Sequence, residues 1–233
     1  MTSQVGLFGH FYDQHTINNP RSGEVGRLDP NEYRLLPLDG LEREPPGECL
    51  AGYPLDELMR NGDFWRNKFR AFGNLVHQLY SLRRATLLAA TFRPDIVVFA
   101  RPDLWYHVPV TAWLDELACD PKPQALVPDW AQWEGLNDRI ALVRGPGAIA
   151  AYGLRAERML DYCADGRMLH SEQLLKHALR DQRVRMIPLH ASRVRSDGRV
   201  VIEDFRRGHG RGGGGKTLPF HDFLAAQTVE AHQ

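Results

Sequence analysis

The chain has 233 residues, with 29 Lys+Arg against 29 Asp+Glu and a formal net charge of zero. That length suits one medium-sized core. The charge balance gives no global electrostatic case for nucleic acid or an acidic membrane as partner. Cys49, Cys119 and Cys163 are too widely spaced for a CxxC metal pattern and odd in number, so they suit a reducing compartment better than a disulfide framework. No apolar run approaches the roughly 20 residues that a membrane helix needs. The start MTSQVGLFGH lacks a basic segment followed by a long apolar one, so a cytoplasmic location is expected.

In chain order, Val5 to Gly9 forms a short strand that runs into His10 and Asp13, both able to line a site or simply to end a strand in solvent. From Thr16 to Ala51 the composition is rich in Pro, Gly, Asp and Asn, and a long ordered loop is expected, with one extended piece near Leu35 to Leu38. Asn61 or Asp63 caps a helix beginning at Phe64 and Trp65. Its apolar positions from Phe69 to Leu88 recur every three to four residues, with a break near Gly73. Gln78, Ser81, Arg83 and Arg84 interleave that stripe.

The helix feeds the segment that organises the chain. Ile96, Val97, Val98, Phe99 and Ala100 form a continuous apolar run, the pattern of a central parallel strand covered on both faces. Pro102 takes the chain out of the sheet. Arg101 and Asp103 are thereby delivered beyond a strand's carboxyl end, where ligands of open α/β sheets sit. A salt-bridging pair at a strand end is the plainer reading.

Further on, Val110 to Leu117 reads as a short helix and Gln124 to Pro128 as a strand. The loop Asp129 to Arg139 carries Trp130 and Trp133 beside carboxylates, a combination suited to a sugar, although each tryptophan alone could equally fill the core. Asp138 to Val143 is a strand and Ala148 to Cys163 a helix with Pro146 at its start. Ser171 caps a helix that holds Glu172 in its first turn. Strands follow at Val184 to Leu189 and Arg199 to Phe205. Gly210, Gly215, Lys216 and Thr217 match a phosphate-loop pattern in letters. No buried strand precedes them and a glycine-arginine run surrounds them, so a flexible hinge before a helix from Phe220 to Val229 is expected.

The succession GHFYD, QLYSLRRATLL, DIVVFARPDL, NDRIALVRGPGAIAAYG and HSEQLL resembles a family of bacterial and viral polysaccharide glycosyltransferase-like proteins of the GT-A type. It covers about Val5 to Gly198, and its specificity lies in the order of short motifs ending in an R-x-D strand end. The resemblance implies an α/β fold with a mostly parallel sheet flanked by helices, without the family's usual apolar first strand before Val5. It implies a catalytic domain over residues 1–205 and a glycine-rich hinge and tail over 206–233. It further implies a nucleotide-sugar donor and a glycan or other hydroxyl acceptor. Arg101, Asp103, His10 and Arg84 would bind the donor. Trp130, Trp133, Asn137, Arg139 and His170 would bind the acceptor. Asp103 would hold a divalent metal, manganese or magnesium, although one aspartate stands where many such enzymes have two. Glu172 and Asp138 are the carboxylates for catalysis. The arginine beside Asp138 favours its ionised form, so Glu172 is the better general base and Asp138 the better sugar ligand. The alternative is a non-catalytic nucleotide- or sugar-binding protein on the same scaffold.

Overall fold

The computed structural model describes residues 4–19, 23–120, 122, 124–203, 205 and 216–230. The first third contains β1 (Phe8–Tyr12), β2 (Thr16–Asn19), β3 (Glu24–Arg27), β4 (Gly40–Glu44), α1 (Glu48–Ala51), α2 (Leu55–Met59) and α3 (Phe72–Ala90). The middle contains β5 (Ile96–Phe99), β6 (Leu104–Tyr106), α4 (Thr111–Cys119), β7 (Ala125–Pro128), β8 (Ala141–Arg144), α5 (Pro146–Gly153) and α6 (Met159–Ala164). The last part contains α7 (Ser171–Ala178), β9 (Val184–Ile187), β10 (Ala191–Val194), β11 (Arg199–Val201), β12 (Thr217–Pro219) and α8 (Phe220–Glu230). The fold is mixed α/β. No helix among the described residues is long and apolar enough to cross a membrane.

The core lies on the sheet of order β5-β8-β7-β9. Side chains alternate along a strand. Ala125, Val127, Ala141 and Val143 therefore face one way, against Ala148, Ala151 and Tyr152 of α5 and Leu175 of α7. Leu126 and Leu142 face the other way, with Leu117 of α4 and Ile187. Leu126 and Leu142 stand opposite one another and are fully buried, each contributing about 1.5–3 kcal/mol. With both faces covered, β7 and β8 read as unbroken apolar runs.

The strand expected at the centre of a parallel sheet is instead β5, which among the described residues pairs only with β8, and antiparallel. Val98 is 37% exposed. An apolar run reports coverage of the two faces, not a neighbour on each flank, so periodicity could not distinguish centre from edge. Parallel pairing occurs between β7 and β9 and between β1 and β4, while the other pairs in these sheets are antiparallel. The chain leaves the sheet after Phe99, three residues before Pro102. It enters a second sheet, β12-β11-β10-β6, in which the aromatic cluster Leu104 to Tyr106 is itself the strand β6.

Residues 16–51 are not a long loop. They hold the β2–β3 hairpin and β4, which pairs in parallel with β1. The α3 helix begins at Phe72, not near Phe64. The preceding stretch is a loop in which Arg66, Lys68 and Phe69 adopt φ of 52°, 60° and 59°. Asp63 holds it: its carboxylate accepts the backbone N–H groups of Trp65, Asn67 and Phe69 at 3.1, 2.6 and 2.9 Å. The helix expected from Ala148 to Cys163 is broken into α5, a 3-10 turn at Arg155–Arg158 and α6. The glycine run, including Gly210 and Gly215, lies outside the described residues. Thr217 opens β12 rather than a long helix, and Phe223 of α8 is fully buried against Trp105 of β6.

Candidate functional site

A cleft of about 780 Å³ is lined by Arg101, Asp103, Trp133, Asp138, Arg139 and Glu172, with residues of the β2–β3 hairpin, the loop before α3 and the end of β10. The turn between β5 and β6 supplies the first two. Arg101 donates through Nε and Nη2 to the two carboxylate oxygens of Asp103, at 2.9 and 2.7 Å. The turn is pinned by Tyr106, whose Oη accepts the Arg101 backbone N–H at 2.9 Å and donates to the Arg101 carbonyl at 3.0 Å. Burial alone would raise the Asp103 pKa, but Arg101 and then Arg193 outweigh it and hold the carboxyl below its usual range.

This geometry does not fit a divalent cation at Asp103. Both of its oxygens are taken by Arg101, and among the described residues no group of three or more His, Cys, Asp or Glu side chains is placed to hold a metal. The expected metal ligand is a guanidinium partner instead.

Asp138 reaches the cleft wall, but its carboxylate works inward. Oδ2 accepts from Gln78 Nε2 at 2.8 Å, from Ser171 Oγ, and from Arg155 Nη2 at 3.4 Å. Arg155 is only 1% exposed, and it also donates to the Tyr152 carbonyl at 2.9 Å. Burial pushes the Asp138 carboxyl up; Arg155, the Ser171 hydroxyl, Arg101 and Arg139 together bring it below its usual range. Asp138 thus ties together α3, the approach to β8, the turn after α5 and the start of α7. Ser171 spends its hydroxyl on this knot, and His170 occupies the cap position of α7. The cap expected at Ser171 is therefore corrected.

Glu172 lines the cleft from the first turn of α7, with its side chain 15% exposed and Oε2 at 3.5 Å from His170 Nδ1. Its backbone is fixed by the loop before β8. The Leu136 N–H donates to the Glu172 carbonyl at 2.9 Å. Gly135 sits so close that a β-carbon there would lie 2.1 Å from the Glu172 carbonyl carbon. Gly135→Ala therefore has no room without moving the start of α7. The expected result is a loss of about 1–3 kcal/mol, together with displacement of Glu172. Thermal unfolding checks the first, and any activity assay of the variant the second.

The aromatic residues divide by role. Trp133 lines the cleft and meets Trp65 edge to face at 5.1 Å. Trp130 is completely buried, donates Nε1–H to the Leu189 carbonyl at 2.8 Å and lies beneath the Arg139 guanidinium at 4.6 Å. It fills the core and cannot touch an acceptor. Asn137 is likewise internal: Nδ2 donates to the Trp130 carbonyl at 2.7 Å and Oδ1 accepts the Arg139 N–H at 3.0 Å. His170 is fully buried against Phe64 at 3.8 Å and Trp65 at 4.9 Å, so it backs the cleft wall.

His10 and Arg84 do not line the cleft. The inward face of β1 carries His10 onto α3, where Nδ1 meets Ser81 Oγ at 3.0 Å and Nε2 meets Glu44 Oε1 at 2.8 Å. Burial, outweighing Glu44, holds its pKa below the ordinary value. Arg84 donates to Glu42 at 2.7 Å. His10 thus ties β1 to α3 and β4, and Arg84 ties α3 to β4.

Sequence reasoning missed Arg193 and Arg195, which also line the cleft, because the short strand β10 fell between two expected strands. The alternation SRVRS was the available signal, since residues i and i+2 share one face of a strand. It missed Trp65 as well, having placed it in a helix.

No family model, no curated protein and no solved structure matches the chain.

Proposed function

We propose that the chain is a glycosyltransferase moving a sugar from a nucleotide-sugar donor to a glycan or other hydroxyl acceptor, on a GT-A-like scaffold. The observation that carries this reading is the division of the cleft. Among its lining residues, Arg101, Arg139, Arg193 and Arg195 form one interacting group and Phe64, Trp65 and Trp133 an aromatic one, with Glu172 in the same cleft. Guanidiniums suit a diphosphate through paired N–H donation. Aromatic faces suit the apolar face of a pyranose. A cleft carboxylate suits an acceptor hydroxyl as proton acceptor. The parallel pairs β1–β4 and β7–β9 and the position of Arg101 and Asp103 beyond β5 are compatible with the scaffold.

One observation favours the runner-up. Asp103, the residue the resemblance would assign to a metal, is locked by Arg101, as it would be in a binding protein without catalysis. A panel of nucleotide sugars separates the two. The expected result is a rise in unfolding temperature with one donor, and release of its nucleoside diphosphate when saccharide acceptors are added. Binding without turnover would select the binding protein, and no binding across the panel would remove both readings.

A further inference from the structure

β10 and the residue after it place Arg193 and Arg195 beside the Arg101–Asp103 turn. Arg193 stands opposite Leu104 of β6, and the Val194 N–H donates to the Asp103 carbonyl at 2.8 Å. Arg195, two residues on, shares the face of Arg193. Arg139 arrives from the loop before β8. The cleft lining also holds Glu24, Glu32, Asp63, Asp138 and Glu172, but among the described residues the counter-charge at Arg193 itself is thin. Arg101 is matched by Asp103, and Arg195 by Glu24 at 3.1 Å. Glu203, however, serves two: its Oε1 lies 3.0 Å from Arg139 Nη1 and 4.0 Å from Arg193 Nη2. Among the described residues, Arg193 Nε is buried with no hydrogen-bond acceptor. The Arg193 side chain as a whole is 28% exposed and lines the cleft, so a pyrophosphate there could reach the accessible part of its guanidinium and supply acceptors and negative charge.

We infer that Arg193, with Arg139, Arg195 and Arg101, forms a guanidinium site that binds a pyrophosphate group without a divalent cation. The identity of that group as the diphosphate of a sugar donor rests on the function proposed above; the anion site itself does not. Burial and the neighbouring guanidiniums of Arg139, Arg101 and Arg195 bring the Arg193 pKa down to about 10, against the opposing pull of Glu203. The positive charges thus outweigh the carboxylate there. A compact ammonium could not replace the planar fork at this corner, because two phosphates are best held by paired, directed donors.

The test is calorimetric titration of inorganic pyrophosphate into the full chain in EDTA, with inorganic phosphate as the comparison. Binding of pyrophosphate in EDTA, tighter than phosphate and weakened by salt, is expected. Arg193→Met keeps the apolar stem and removes the charge. It should weaken binding at least about tenfold, as loss of a charge-assisted hydrogen bond does, while thermal stability is held or raised because a repelled cation is gone. Arg193→Lys should recover only part of the affinity. Should Arg193→Met fail to fold, the wild-type titration with and without EDTA still decides. Pyrophosphate binding that requires manganese, or binding by Arg193→Met equal to wild type, would overturn the inference. Pyrophosphate held in EDTA by a protein that turns over no nucleotide sugar would leave the anion site standing and remove the transferase reading. Turnover of a nucleotide sugar by a protein that does not hold pyrophosphate in EDTA would do the reverse.

Discussion

Asp138→Ala is expected to be the most destabilising single change at the cleft. It strands Arg155, whose guanidinium is almost wholly buried, and takes the acceptor from Gln78 and Ser171. Breaking a buried ion pair from one side costs about 3–5 kcal/mol, because the remaining charge stays desolvated. In a domain of this size that lowers the melting temperature by about 10 °C. Removing the stranded charge as well, in Asp138→Ala/Arg155→Met, should return much of the loss. A single variant that melts within about 2 °C of wild type would show that the knot is not holding the four segments together. The pair also makes stability depend on pH in a defined direction. The folded-state pKa of Asp138 is depressed, so its contribution is present above the unfolded value of about 4 and is lost as pH falls through the folded one. Asp138→Ala should lack that component in acid denaturation.

Glu172→Gln is expected to have the largest effect on turnover. The substitution preserves shape and removes the proton acceptor. As the general base of an inverting transfer, Glu172 would contribute about 10²–10⁴-fold to kcat, with little change in donor KM. Its backbone position depends on Gly135 and Leu136, so the unfolding temperature of the variant should match wild type and separate chemistry from structure. A fall in kcat of less than about tenfold would assign the proton to another group.

Much of the site was legible because its residues lie where strands and helices end. The turn at Pro102, the aromatic loop with Trp133 and the start of α7 at Ser171 all carry local signals, and Arg101, Asp103, Asp138, Arg139 and Glu172 all line the cleft, although the Asp138 carboxylate turns inward. What sequence could not supply was the direction in which side chains point. Trp130 and Trp133 are three residues apart in the same loop, yet one plugs the core and the other faces the cleft. Asp138 and Glu172 are both acidic and both at the cleft wall, yet only Asp138 is committed to a buried arginine supplied 17 residues later. Such partners are set by tertiary packing. Edge or central position in a sheet, as for β5, is also decided by distant chain and leaves no period in the strand itself.

The left-handed residues bear on how this protein could be improved or spoiled. Arg66, Lys68 and Phe69 on one loop, and Ala131, Trp133 and Glu134 on another, hold positive φ without being glycine, each at about 1 kcal/mol or more. Glycine would relieve that strain with little lost packing at the exposed Arg66, Lys68 and Glu134, whereas at Phe69 and Trp133 it would also remove an aromatic contact. Phe69 and Trp133 also line the cleft. Strain relief is therefore open at the exposed positions outside the cleft lining, while the strained aromatics hold the shape of the cleft itself.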